Sequence, residues 1–531
     1  MLMRTLHWKT VCKLLMVFVG VSGYQLSLPA AVTAAPVRVF AFNDLGMHCY
    51  DPDYFVLSIL PPFNNLHAQV ISTGPSPSIL DSTAVRLVYK AQADATGSIN
   101  TTSAGKTNFW RFGTGWFTGT LPVNVGLTGT RMPGAGNPNR PFGPFDPAKE
   151  WFSLEGVPIT VFDDARQINP FSLFAISAID RTTNQLLYSL PTVVPASNEV
   201  NCGVCHKTGG VAANPSVDPT IKWSTVANLE RQARFNILLL HNKRNSTSLV
   251  NPVRCSSCHY DPAVDLTGQG PQNSLPFFSH AMHGFHAPRI TQDPTSLLTC
   301  ANCHPANPAG ATRCLRGAMG VAGIVCISCH GNMFNIGKVT RQPWVDEPRC
   351  ESCHTGDAVN NLGAIRFRKA YFGTPRNPIP RIATNKRFAE NAGTLFRNSV
   401  GHNGVVCESC HGSPHAEWPS REANDNAAAI KLQGHKGPII ECKVCHGATL
   451  QPTLAGPHGM HPVNDAAWFD GQHDNLAESA TEECRACHGN AGQGTVLSKS
   501  PVARTFVTEE GTFAVAAGTP ISCSLCHESP L

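Results

Sequence analysis

Beyond its first thirty-five residues, the 531-residue chain contains no apolar run of the roughly 18–20 residues that a membrane-crossing helix needs. That region therefore offers no transmembrane segment. A strong charge excess is also missing: 41 basic side chains, three of them Arg4, Lys9 and Lys13 at the start, face 36 acidic ones. So even a balance argues against a nucleic-acid partner. No repeat of fixed period runs through the chain, which excludes a regular solenoid. Residues 36–195 are nearly empty of cysteine, with Cys49 alone among the chain's 21.

What the chain does have, after residue 201, is Cys-x-x-Cys-His in nine copies. They are Cys202, Cys205 and His206; Cys255, Cys258 and His259; Cys300, Cys303 and His304; Cys326, Cys329 and His330; Cys350, Cys353 and His354. The remaining four are Cys407, Cys410 and His411; Cys442, Cys445 and His446; Cys484, Cys487 and His488; Cys523, Cys526 and His527. Each copy is the attachment signature of a c-type haem, in which two thiols add to the porphyrin vinyl groups and the histidine binds iron. Random order would give roughly 0.03 matches. Zinc ribbons also use CxxC pairs, but a histidine following all nine favours iron porphyrin. The expected cofactor is haem c, nine per chain and covalently attached.

The chain divides into three parts. Residues 1–35 read as an export signal: the charges Arg4, Lys9 and Lys13, the short apolar run 14–23, and small residues at 32–35. About ten apolar residues are too few to cross a bilayer. Export agrees with attachment of c-type haems outside the cytoplasm, so the expected location is periplasmic, outer-surface or extracellular. Residues 36–195 read as a β-rich domain without haem motifs, with strands near 37–42, 84–89, 157–162 and 171–179 and a Gly/Pro-rich loop at 133–147. Its aromatic residues Phe109, Trp110, Phe112, Trp116, Phe117, Trp151 and Phe152 are expected in a sandwich core, with a carbohydrate or partner surface as the alternative. Residues 196–531 form the nonahaem domain, with about 36 residues for each motif, too few to build an apolar core around each cofactor. The expected fold class is an N-terminal all-β, sandwich-like domain followed by a loop-rich, mostly α multihaem domain with low regular secondary structure. Its one stronger helix is expected near 226–242.

Each iron needs a second axial ligand or keeps an open position. Ten histidines of the last region lie outside the motifs: His241, His280, His283, His286, His402, His415, His435, His458, His461 and His473. Ten candidates for nine irons allow full bis-histidine ligation, a saturated state suited to electron transfer. His280, His283 and His286 lie three apart, on one side of a helix. Methionine ligation at Met282, Met319, Met333 or Met460 is the alternative. His48 and His67 are read as structural, with ligation of a junction haem, or a metal at Asp44, Asp51 or Asp53, left open. Cys49 and Cys314 are outside the motifs, and an oxidising compartment would allow them to pair. A basic stretch, Arg366, Arg368, Lys369, Arg376, Arg381, Lys386, Arg387 and Arg397, faces only Glu390. It is read as compensation for haem propionates, or as a dock for an acidic partner.

Through its nine motifs, and through CESCHGSPH (407–415) and GPHGMHP (456–462), the chain resembles the extracytoplasmic multihaem c-type cytochromes of metal-respiring and related bacteria. FNDLGMHC (42–49) looks like a domain found before such haem arrays. The resemblance implies haems stacked in parallel and T-shaped pairs. It also implies electron transfer to other redox proteins or an extracellular acceptor and, in some members, polymerisation into homo-oligomeric filaments. No motif has lysine for its histidine, unlike the active-site haem of many multihaem nitrite reductases. The expectation is therefore a carrier with no catalytic residue, and an oxidoreductase of a small nitrogen or sulfur compound is the alternative.

Overall fold

Alternation of β-branched and aromatic residues builds the strands of the first region. In a computed structural model of the chain, the residues described are 36–117, 119–264, 274–291, 298–307, 310–354, 369–383, 385–447 and 450–528. The expected export signal, with Arg4, Lys9 and Lys13, lies outside them, as do Arg366 and Arg368 of the basic stretch.

The strands in order are β1 Val37–Phe42, β2 His48–Cys49, β3 Leu57–Ser58, β4 Asn64–Ser72, β5 Ser78–Leu80, β6 Val85–Gln92, β7 Arg140–Pro141, β8 Phe145–Asp146, β9 Trp151–Val157, β10 Phe171–Asp180 and β11 Leu186–Ser197. One five-stranded sheet runs β1-β4-β9-β8 with β5 on β4, and a second runs β2-β11-β10-β6-β7. Val39, Leu66, Val70 and Leu154 of the first sheet share one buried cluster with Leu87, Phe174, Ile176, Leu190 and Val194 of the second. Trp418, Ala428, Ala429, Leu432 and Val444, all from beyond residue 196, complete that cluster. Residues Ala35–Leu531 form one compact unit.

The two regions are also joined by charge. Helix Leu229–Asn245 starts at Asn228, whose side chain accepts from the Arg231 amide. From this helix the wholly buried Arg234 donates to Asp51 at 2.7 Å, and Arg231 reaches Asp53 at 2.8 Å. These carboxylates are thus committed to arginines. Among the described residues, no three His, Cys, Asp or Glu side chains are grouped to hold a bare metal ion.

The expected fold class needs correction. The described residues are 25% helix and 21% strand, and those beyond residue 196 include five strands, so the second region is not a loop-rich, mostly α domain beside an all-β one. Strand β12, Val253–Arg254, pairs in parallel with β3. Hairpins form from β13 Tyr371–Thr374 with β14 Asn377–Pro380, and from β15 Arg504–Thr508 with β16 Gly511–Val515. Alternation in the last hairpin buries Phe506 and Val515. In the first region, Phe109–Trp116 is a helix. Its Phe109, Phe112 and Trp116 recur at helical spacing and pack with Phe117 around buried Tyr54, while Trp151 and Phe152 lie in β9. Among the described residues no helix is long and apolar enough to cross a membrane.

Candidate haem-ligand sites

Each CxxCH segment forms a single helical turn. The histidine amide donates to the first cysteine carbonyl at 2.9 Å in Cys202–His206, 3.0 Å in Cys255–His259, 2.8 Å in Cys300–His304 and 2.8 Å in Cys350–His354. The same bond measures 2.9 Å in Cys442–His446 and 3.0 Å in Cys523–His527. Cys326–His330, Cys407–His411 and Thr481–His488 are α-helical throughout. An i, i+4 closure of this kind puts the first cysteine and the histidine on one face.

The sheets hold several of these turns in place. Buried Gln69 of β4 donates to Gly404 carbonyl at 3.0 Å and accepts from Val406 amide at 2.9 Å, just before the sixth motif. Gly74, after β4, donates to Cys445 carbonyl at 2.9 Å in the seventh. Strand β12 leads straight into Cys255. Gly46 lies against Pro414, where a Cβ would come 2.5 Å from the carbonyl oxygen, and its φ of +64° suits glycine.

Eight of the nine motif histidines face a histidine from outside the motifs. Ring centroids are 6.3 Å apart for His206 and His286, 6.4 Å for His259 and His241, 6.0 Å for His304 and His283, and 6.1 Å for His330 and His415. They are 5.8 Å apart for His411 and His458, 5.8 Å for His446 and His402, 6.1 Å for His488 and His461, and 5.7 Å for His527 and His473. Two metal–nitrogen bonds of about 2 Å, plus half a ring on each side, span about 6 Å. The residues present therefore fit an iron held between two imidazoles.

Hydrogen bonds orient the rings for that task. Nδ1 of His283 bonds Ser279 carbonyl at 2.9 Å, that of His286 bonds Met282 at 2.7 Å, and that of His458 bonds Arg387 at 2.8 Å. Nδ1 of His461 meets Pro462 carbonyl at 3.1 Å, that of His473 meets Trp468 at 2.6 Å, and that of His259 meets Pro276 at 2.9 Å. His488 does the same with Ile521 at 2.9 Å. A carbonyl only accepts, so Nδ1 carries the proton and Nε2 keeps its lone pair for a metal. Burial also keeps the rings neutral. It pushes His206, His283, His411, His415 and His461 down to about 4, and His330 to about 3. Neutral imidazole is the form that binds metal. His415 and His458 hold positive φ, 64° and 59°, a conformation rare outside glycine and concentrated at functional positions.

The remaining histidines are engaged through Nε2. His280 is buried with Nε2 on Arg341 carbonyl. His435 meets Glu441 at 3.2 Å, His48 meets Pro61 carbonyl at 3.1 Å, and His67 meets Asp44 at 3.2 Å. His67 also stacks on Trp151, with centroids 4.3 Å apart. Only two members of the His280, His283, His286 triplet thus face a motif histidine. His354 stands apart: its neighbour is Phe388, at 6.4 Å between ring centroids and edge-on at 80°.

Several of the turns lie near one another. Cys300 hydrogen-bonds Cys326. Behind the effect of burial, Cys205 raises Cys303, Cys353 raises Cys329, Cys445 raises Cys410 and Cys523 raises Cys484, while at Cys350 Glu390 comes before Cys407. Each effect of one thiol on another is one of proximity. Arg387 links two further sites, donating to His458 carbonyl at 2.8 Å and to Glu483 at 2.6 Å. Lys386 pairs with Glu351, and Arg397 with Asp44 and Glu347, so much of the basic stretch is committed internally. Cys49 and Cys314 are both free thiols and form no disulfide; burial, and then Cys314, pushes Cys49 up.

Glu390 and Phe388 had no place in the ligand count read from the sequence. The available signal was Glu390 as the lone acid in a basic stretch. No protein-family model, curated protein or solved structure matches this chain.

Proposed function

We propose that this chain is an exported electron-transfer protein, a multihaem c-type cytochrome with nine covalently attached haems. The observation that carries the reading is the set of eight facing imidazole pairs, each joining a CxxCH histidine to a distant one at the spacing a metal requires. The eighteen motif cysteines would anchor the porphyrins, and the motif histidines would bind iron from one side. His241, His283, His286, His402, His415, His458, His461 and His473 would bind from the other. When bound, the haems supply one-electron carriers, tuned by axial ligands, hydrogen bonds and burial.

The chain's own part is placement. Carbonyls fix the imidazole tautomers, the turns set the first cysteine and the histidine on one face, and β4 with the residue after it ties down the sixth and seventh turns. Partners on this reading are other redox proteins or an extracellular electron acceptor. Intact-mass measurement of the mature protein tests it: nine added porphyrins are expected, with low-spin spectra dominating. A mass without porphyrin overturns it.

A further inference from the structure

We propose that the site built on Cys350, Cys353 and His354 leaves its iron open to a small uncharged ligand, with Phe388 standing where the other sites present an imidazole. The inference rests on the nine-haem reading. It begins from an asymmetry, because eight motif histidines oppose an imidazole and His354 opposes a phenyl ring at the same spacing, 6.4 Å. A phenyl ring has no lone pair to give a metal.

The four histidines left over do not fill the gap: His48 spends Nε2 on Pro61 carbonyl, and His67 spends its own on Asp44. His280 spends Nε2 on Arg341 carbonyl, and His435 uses Nδ1 on Lys436 carbonyl and Nε2 on Glu441. The stretches 265–273, 292–297 and 355–368 contain neither histidine nor methionine. His458, the imidazole nearest Phe388 at 4.8 Å, already faces His411.

Glu390 is the independent sign of a ligand. It is only 8% exposed, and its Oε1 accepts the Cys350 amide at 2.6 Å, while its Oε2 is buried without a hydrogen-bond partner. A buried carboxyl oxygen left unpaired is costly, and such groups ask for an explanation. Glu390 sits at the turn that carries Cys350 and His354, and a carboxylate there repels anions approaching the site. The phenyl wall of Phe388 adds an apolar boundary that limits size. Together they select a small neutral iron ligand of the carbon monoxide, nitric oxide or hydroxylamine kind over an anion such as azide.

The test uses the purified full-length protein, with porphyrins counted by intact mass. Reduced protein is titrated with carbon monoxide and followed in the haem absorption bands. One carbon monoxide per nine haems is expected, with one ferric high-spin signal. Nine haems with no carbon monoxide uptake overturn the inference, whether the missing ligand comes from this chain or from a second copy. Absence of haem overturns the underlying reading instead, and mass alone registers that.

Phe388→His is expected to retain nine haems and abolish both signals. If it leaves carbon monoxide uptake intact, Phe388 does not face the iron. Glu390→Gln should leave carbon monoxide stoichiometry at one and tighten azide binding on the order of tenfold, as loss of a nearby like charge requires. Unchanged azide affinity overturns the selectivity argument. His435→Gln should also keep the stoichiometry at one, and a rise to two would assign His435 to an iron and overturn the ligand count.

Discussion

The two halves of this protein are ordered by different means. In residues 36–195, apolar side chains from two sheets interlock, so that Val39, Leu66, Val70, Phe174, Ile176 and Leu190 are fully buried. Beyond residue 196 the turns are short and the buried apolar residues are few. Many buried groups there are polar or charged, among them Arg234, Asn236, Arg316, Ser409 and Asp425. The motif cysteines are half-buried or exposed, and none is fully covered. A region that buries so little apolar surface of its own needs another source of order. Its repeated feature is instead the placed imidazole pair. The comparison teaches that side-chain packing fixes the first region, whereas the second is marked by facing imidazoles from segments far apart in the chain.

The comparison breaks most readily through the proposed haems. Material made without haem attachment should lose hydrogen-exchange protection across the CxxCH turns while β10 and β11 keep theirs. Equal loss in both regions, read by exchange and mass spectrometry, would deny the contrast. Next is the junction. Arg234→Met leaves buried Asp51 without its 2.7 Å partner. Removal of one member of a buried pair should cost about 3–5 kcal/mol, read as a shift in denaturant midpoint. A change below about 1 kcal/mol would make this pair a surface-like contact.

A third prediction concerns pH. Burial pushes His48 down to about 4 from an ordinary 6.5, so the folded state resists a proton that the unfolded chain accepts. Stability is full above 6.5 and falls as the pH drops towards 4, by about 3 kcal/mol from this ring. His48→Gln should flatten that part of the wild-type pH–stability curve, and parallel curves would contradict it. The smallest effect is expected at His435→Gln. This histidine lies outside the facing pairs, so haem spectra should not change and stability should move within about 0.5 kcal/mol.

The strands β1, β6 and β10 were legible as short runs of β-branched and aromatic residues, and β1 and β10 are buried on both faces over most of their length. The helix Phe109–Trp116 was less so, since an aromatic run satisfies a strand's propensity as well as a helix's face. The hairpin of β15 and β16 was passed over beside the motifs, although its alternation is plain. The chain's histidines were legible as a candidate set, and their partners were not. His330 and His415 lie on separate segments, and nothing local in either segment names the other. His280 sits on the same helix as His283 and His286, yet only the carbonyl of Arg341 removes it from the set.

The sequence by itself determined the nine Cys-x-x-Cys-His turns and the pool of imidazoles, because a cysteine pair and its histidine close over a single helical turn. Tertiary structure alone decided which imidazoles face one another, and that a phenyl ring stands opposite His354. Such pairings depend on segments distant in the chain meeting across a shared core, and local spacing carries no record of that meeting.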